Sequence, residues 1–154
     1  SGARSVKTMR ESVRLGVLLM IATIAAPALG EPIEWSHDVD AAWQQTVREG
    51  RPLLLFITRS RCKYCVQMKT ATLVDAQVAD QVMSDFVPVA IDPESDPELI
   101  RELNVKSFPT TLIVSPDALM LDQIKGYLPP AEFQKRLGRC RASSTVHRPR
   151  SSRR

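Results

Sequence analysis

The sequence has few residues that bind metals, with 3 cysteines and 2 histidines among 154 residues. A structural zinc site uses four cysteine or histidine ligands, usually arranged as two spaced pairs. Here only Cys62 and Cys65 form such a pair, while Cys140 and the histidines His37 and His147 lie far from it in the chain. The ligand count does not favour zinc, and we expect no resident metal ion.

Haem is also excluded, because c-type attachment requires histidine directly after the second cysteine, where this chain has Val66. Two alternatives stay open for the Cys62–Cys65 pair. Two thiolates suit the soft copper(I) ion. A structural disulfide without turnover is the other alternative, although closing so short a loop stabilises a chain little.

An excess of positive charge is missing from the central part of the chain. Residues 31–138 contain 11 Lys and Arg against 16 Asp and Glu, a net charge of −5, although the whole chain carries +4. The basic residues are concentrated at the two ends. A nucleic-acid-binding body would be basic, so we expect no nucleic-acid partner.

The N-terminal part lacks an apolar run as long as the roughly 20 residues that span a bilayer. Residues 15–30 are apolar, end in small residues and follow a basic segment, which is typical of a secretory signal peptide. We predict that residues 1–30 are an N-terminal extension and signal peptide, starting at Met9 and cleaved after Ala28 or Gly30. The protein is then periplasmic or secreted, and a membrane anchor is the less favoured alternative.

The C-terminal residues 139–154 are rich in serine, arginine and proline and show no periodicity. Such a composition predicts a disordered basic tail. Cys140, at its start, is the odd cysteine, and we expect a free thiol or an intermolecular disulfide there.

The paired cysteines stand at a strand-to-helix junction. The apolar run 52–58 predicts a strand, and residues 66–73 predict a helix. A cysteine at a helix N-terminus faces free backbone N–H groups, which favour its reactive thiolate. Since disulfides persist outside the cytosol, an exported CxxC motif indicates a thiol-disulfide exchange centre.

Helices and strands alternate through residues 31–138, which predicts an α/β domain with helices on both faces of a sheet. Ser36 or Asp38, Asp75 and Asp96 are the predicted helix caps. The predicted strands are 53–58, 86–91, 110–114 and 119–124. The predicted helices are 38–49, 66–73, 75–83, 97–103 and 130–137.

The chain resembles the thioredoxin superfamily over residues 35–137. The CxxC after the first central strand, the segment 105–110 before the third strand and Gly126 after the fourth carry this resemblance. It implies a thioredoxin-like fold with a mixed sheet of about four strands. It also implies a substrate-binding loop of Phe108, Pro109 and Thr110, with a cis peptide bond before Pro109.

A subgroup resemblance rests on Trp35, a helix containing Ala41 and Ala42, and the segment 50–52. These features are similar to the exported thioredoxin-like proteins that resemble the C-terminal domain of thiol-disulfide interchange proteins.

Two departures from thioredoxin concern the active site. Phe56 stands where thioredoxin has a buried acid, and Arg61 stands where thioredoxin has tryptophan. The missing acid removes a proton acceptor for the resolving cysteine. Arg59, Arg61 and Lys63 add positive charge, which favours the Cys62 thiolate and makes the disulfide more oxidising. Tyr64 either tunes the active-site loop with Lys63 or is a surface aromatic that contacts the substrate.

These features predict an exported thiol-disulfide oxidoreductase in which Cys62 attacks and Cys65 resolves the mixed disulfide. Its cofactor is the Cys62–Cys65 disulfide alone. We expect partners with protein thiols or disulfides, a membrane redox partner and a monomeric state. The alternative is a non-catalytic module that binds copper(I) or a partner protein through the same cysteines.

Overall fold

Strand β1 (Leu53–Ile57) runs through the middle of a four-stranded sheet, and all five of its side chains are buried. The computed structural model describes residues 32–146. Strand β2 (Val87–Ile91) pairs with β1 in parallel, and β3 (Thr110–Val114) pairs with it antiparallel. Strand β4 (Met120–Lys125) pairs antiparallel with β3, so the strand order is β2-β1-β3-β4. The predicted mixed sheet is confirmed.

Helices cover both faces of this sheet, as predicted. Aspartates cap three of the helices, and a left-handed Gly50 ends the first one, with its N–H donating to the Thr46 carbonyl at 2.9 Å. The capping aspartates are Asp38, Asp75 and Asp96. The helices are α1 (Val39–Glu49), α2 (Lys63–Gln67), α3 (Ala76–Asp85), α4 (Pro97–Glu102) and α5 (Pro130–Val146).

The helix after the paired cysteines starts earlier than the predicted 66–73. It begins at Lys63 because Cys62 acts as its N-cap, its sulfur accepting from the Cys65 N–H. After α2 the chain continues as one π-helical turn, Met68–Thr72, in which Met68 is fully buried. Cys62 therefore caps the helix and Cys65 lies in its first turn.

The alternation of β1 side chains divides the core into two layers. Leu54 and Phe56 pack on the face covered by α3 and α5. Leu53, Leu55 and Ile57 pack on the opposite face, under α1 and α4. A strand buried on both faces must be apolar at every position, which explains the unbroken hydrophobic run.

The C-terminal prediction was wrong in part, because α5 continues to Val146 instead of ending near residue 137. Residues 139–146 are helical, and Cys140 is buried in the core layer that contains Phe133 and Leu137. These three residues stand at helical spacing on one face of α5. Burial of this apolar face favours a helix that continues past Gly138, which lies on the exposed side of α5.

The predicted signal peptide and His147 lie outside the described residues. Within residues 32–146 no helix is long and apolar enough to cross a membrane.

A paired arginine and aspartate join α5 to the edge strand β4. The Arg136 guanidinium donates to both carboxylate oxygens of Asp122, with Nε at 2.6 Å from Oδ2. About a third of the arginine side chain and a fifth of the aspartate side chain are exposed. The hydrogen bonds from Arg136 hold the pKa of Asp122 below its usual value.

We expect Arg136→Met to lower the free energy of unfolding at neutral pH by about 1 to 2 kcal/mol, because it leaves a mostly buried carboxylate without its arginine partner. The lowered pKa means that this stabilisation is present above about pH 4 and is lost as Asp122 becomes protonated in the folded state. Urea unfolding as a function of pH measures the effect. The exposed Lys135→Met on the same helix is the control, and an equal loss in both variants contradicts the assignment.

Candidate active site

The cysteine pair lies where β1 ends and α2 begins. Cys62 has extended backbone angles, and its Sγ accepts a hydrogen bond from the Cys65 N–H at 3.2 Å. The two cysteines form a disulfide, with their Cα atoms 5.1 Å apart. The backbone N–H that caps the sulfur also stabilises a thiolate at the same atom.

The two sulfurs differ in access to solvent. Cys65 is completely buried, whereas Cys62 is partly exposed. Exchange requires that a thiolate and a disulfide sulfur approach each other directly. Only Cys62 is open to such an approach by another protein.

The loop that precedes β3 lies against the exposed cysteine. The Sγ of Cys62 is 3.6 Å from the carbonyl oxygen of Phe108, and the Phe108–Pro109 peptide bond is cis. The Thr110 hydroxyl donates to the Ser107 carbonyl at 2.7 Å. The structure thus places the predicted loop against Cys62 through the carbonyl of Phe108.

Gly126 fixes the other side of this loop. Its N–H donates to the Pro109 carbonyl at 2.8 Å, and its φ is 83°, a left-handed conformation that favours glycine. The resemblance singled out Gly126 by position, and the left-handed φ is the physical reason for a glycine there.

The basic residues near the pair take different positions. Arg61 and Lys63 are exposed and flank Cys62 in the chain. Arg59 lies over the Phe108 ring, with its Cζ 4.9 Å from the ring centroid. Sequence reasoning counted Arg59 only as a nearby charge, because the contact joins residues 49 positions apart and leaves no local pattern.

Two exposed side chains with apolar surface follow Cys62 on α2. Tyr64 and Val66 of α2 are 56% and 51% exposed. Exposed apolar groups beside a reactive centre favour contact with another protein surface.

An apolar side chain occupies the position at which thioredoxin carries a buried acid. Phe56 is 2% exposed, and its ring centroid lies 5.6 Å from that of Trp35. No carboxylate can accept a proton at this position.

Cys140 is separate from this site. It is buried on α5, and burial together with the nearby Asp122 charge raises the pKa of its thiol to about 11. Its Sγ lies 4.0 Å from a carboxylate oxygen of Asp122. Of the two alternatives for Cys140, the structure supports the free thiol and argues against the intermolecular disulfide. In the described part of the chain, no three His, Cys, Asp or Glu residues form a cluster that could hold a metal ion.

Comparison with known proteins agrees with this geometry. The family model of the Thioredoxin-like domain matches residues 39–140. The chain belongs to this family. No protein of curated function matches the sequence. The family and the paired cysteines make the chain a thiol-disulfide oxidoreductase.

Several solved structures share its thioredoxin-like fold. A thioredoxin from Thermus thermophilus is 24% identical with a TM-score of 0.69, covering 79% of this chain and 100% of that one. DsbH oxidoreductase is 17% identical with a TM-score of 0.64, covering 80% and 91%. The oxidised DsbD C-terminal domain from Neisseria meningitidis is 23% identical with a TM-score of 0.57, covering 66% and 95%.

We expect the double substitution Arg61→Gln and Lys63→Gln to raise the pKa of the Cys62 thiol by less than about 1, because both charges are solvated. Thiolate absorbance against pH measures the change, which should shrink at high salt. The control is Arg48→Gln with Lys135→Gln, which removes the same charge far from the site. Coincident titrations of the native and site variants at low salt contradict the prediction.

In the reduced native protein, we expect iodoacetamide to modify Cys62 and to leave Cys140 unmodified. A thiol with a pKa of about 11 is thiolate for only about one part in a thousand at mildly alkaline pH, and burial blocks access as well. Mass spectrometry before and after denaturation counts the adducts. Denaturation should add adducts at the two buried thiols, Cys65 and Cys140. Cys140→Ser should lose one of those two adducts and keep the adduct at Cys62, and modification of Cys140 in the folded protein would contradict its buried position.

Proposed function

We propose that the protein is an exported enzyme that exchanges disulfides with other proteins through Cys62 and Cys65. The observation that carries this proposal is the difference in access between the two sulfurs. One sulfur is open beside the Phe108 carbonyl, and the other is completely buried one turn further along. A structural disulfide does not require one open and one closed partner.

The exchange follows from this arrangement. In the reduced enzyme, the Cys62 thiolate attacks a substrate disulfide, forms a mixed disulfide and releases one substrate thiolate. The Cys65 thiolate then attacks the Cys62 sulfur, which closes the enzyme disulfide and releases the second substrate thiolate. The substrate gains two electrons and the enzyme loses two, and in the opposite direction every step reverses.

The substrates proposed here are folded or extended protein segments. Tyr64 and Val66 offer exposed apolar contact beside Cys62. The loop at Phe108 and Pro109 offers backbone to which an extended segment can pair. A small thiol would need neither surface.

Export is supported by the sequence, through the basic segment and the apolar residues 15–30 that predict a signal peptide. Outside the cytosol a disulfide persists, so the enzyme can hold either redox state. Each turnover leaves the enzyme in the opposite redox state, and we propose that a membrane redox protein restores the starting state. We also propose that the enzyme is a monomer.

We expect Cys65→Ser to accumulate mixed disulfides with protein substrates, because Cys62 can still attack while nothing resolves the product. We expect Cys62→Ser to lose exchange altogether. Non-reducing electrophoresis, after the reduced variants are incubated with a disulfide-bonded model protein, detects the adducts.

Cys140→Ser is the matched control, because it removes a thiol that is buried away from the site, and it should keep the native turnover. Adducts formed by Cys62→Ser and not by Cys65→Ser would reverse the two roles. Adducts formed by neither variant would remove the proposal.

A further inference from the structure

An open groove of about 1160 Å³ lies beside the active site, at the carboxyl ends of β1 and β2. Ser60, two residues before Cys62, is one of its lining residues and connects it to the active-site turn. The groove's apolar lining includes Trp35, Phe56, Leu73, Ile91 and Leu99. Its position places it next to whatever chain is bound at Cys62, while the CxxC itself is not part of it.

Four aspartates line this groove, namely Asp38, Asp40, Asp92 and Asp96, against one lysine, Lys69. Within residues 32–146, no arginine or lysine forms a salt bridge with any of the four aspartates. Three of them accept backbone hydrogen bonds through a single oxygen, at 2.9 to 3.0 Å. Those bonds explain where each aspartate stands, and they leave its negative charge without a cation.

An unpartnered hydroxyl is the second observation at this groove. Thr58 lines the groove and is 8% exposed, and its Oγ1 has no hydrogen-bond partner. Buried hydroxyl groups nearly always have a partner, and leaving one without is unfavourable.

The charge of the groove is opposite to that of the active-site rim. Arg61 and Lys63 beside Cys62 are positive, and the groove a few residues away is negative. A bound protein segment therefore meets two fields of opposite sign along its length. Such a pattern selects for the charge order of the partner.

We propose that this groove binds a lysine- or arginine-containing segment of the substrate protein while its cysteine is held at Cys62. The apolar lining takes the methylene stems of these side chains, and the aspartates take their charged ends. The inference rests on the proposed exchange function and adds a substrate class to it, namely proteins with basic residues near the reacting cysteine.

The test uses the full chain and three series of synthetic peptide disulfides. The series differ only in the residue type of one cluster, and within a series that cluster lies at increasing separations from the cysteine. The cluster is lysine, glutamine or glutamate. We expect kcat/KM for the best lysine peptide to exceed that of its glutamine counterpart by about three- to tenfold at low salt, with the glutamate peptide slowest. High salt should close the gap.

The double variant Asp40→Asn and Asp92→Asn should remove most of this preference. Asparagine keeps the hydrogen-bond acceptor of Asp92 while removing its charge, so the loop should stay intact. The control is Asp80→Asn with Asp117→Asn, two exposed acids outside the groove, and it should keep the preference. A control that loses the preference equally would reduce the effect to net charge and overturn the proposal.

Exchange with a small uncharged disulfide distinguishes failure of the proposed exchange function from failure of the groove inference. Absence of that exchange refutes the proposed function itself. If that exchange proceeds while all three peptides react equally at every separation, the function stands and the groove inference fails. Equal reaction of the peptides is expected if the groove binds nothing, and also if basic residues of this chain occupy it.

Discussion

The pairing of β1 with its two neighbours is the constraint on which the site depends. Because β1 is central, its position is fixed by hydrogen bonding to β2 on one side and to β3 on the other. Its antiparallel register with β3 places Ile57 opposite Thr110. The end of β1 and the start of β3 therefore meet at one edge of the sheet, and this meeting sets Cys62 against the carbonyl of Phe108.

The buried position of Cys65 follows from the same junction. Once Cys62 caps α2, the helix direction carries Cys65 inward, towards the core layer that holds Met68. The hydrogen bond from the Cys65 N–H to the Cys62 sulfur joins both residues in one turn. Local helix geometry thus divides the roles of two chemically identical side chains into one that can be reached and one that cannot.

The positive charge beside Cys62 comes from residues adjacent to it in the chain, whereas the negative charge of the groove comes from residues that only the fold brings together. Arg61 and Lys63 flank Cys62 directly, so their field acts on its sulfur whatever the rest of the fold does. The groove aspartates come from two separate segments, residues 38–40 and 92–96, and the parallel bridge between Ser36 and Val89 places the start of α1 beside the end of β2. Such a surface can discriminate between partners more than it can bind them tightly.

Much of the fold was predictable from the sequence, because its signals are local. The apolar run of β1 indicates a strand buried on both faces, and an aspartate before each of α1, α3 and α4 marks where the helix begins. The end of α5 was not predictable in the same way. Gly138 and the following arginines have the composition of a tail, yet Cys140 finds a place in the core beside Leu137, and that burial keeps the chain helical.

The sequence by itself determined the CxxC pair, its place between a strand and a helix, and the loop that contains Pro109. Each of these is written in residues adjacent in the chain. The tertiary structure alone decided that Arg59 lies over Phe108, that the Phe108 carbonyl lies beside Cys62, and that the four aspartates line one groove. Access and contact depend on which distant segments pack together, and strand register fixes that packing in ways that no short stretch of residues reveals.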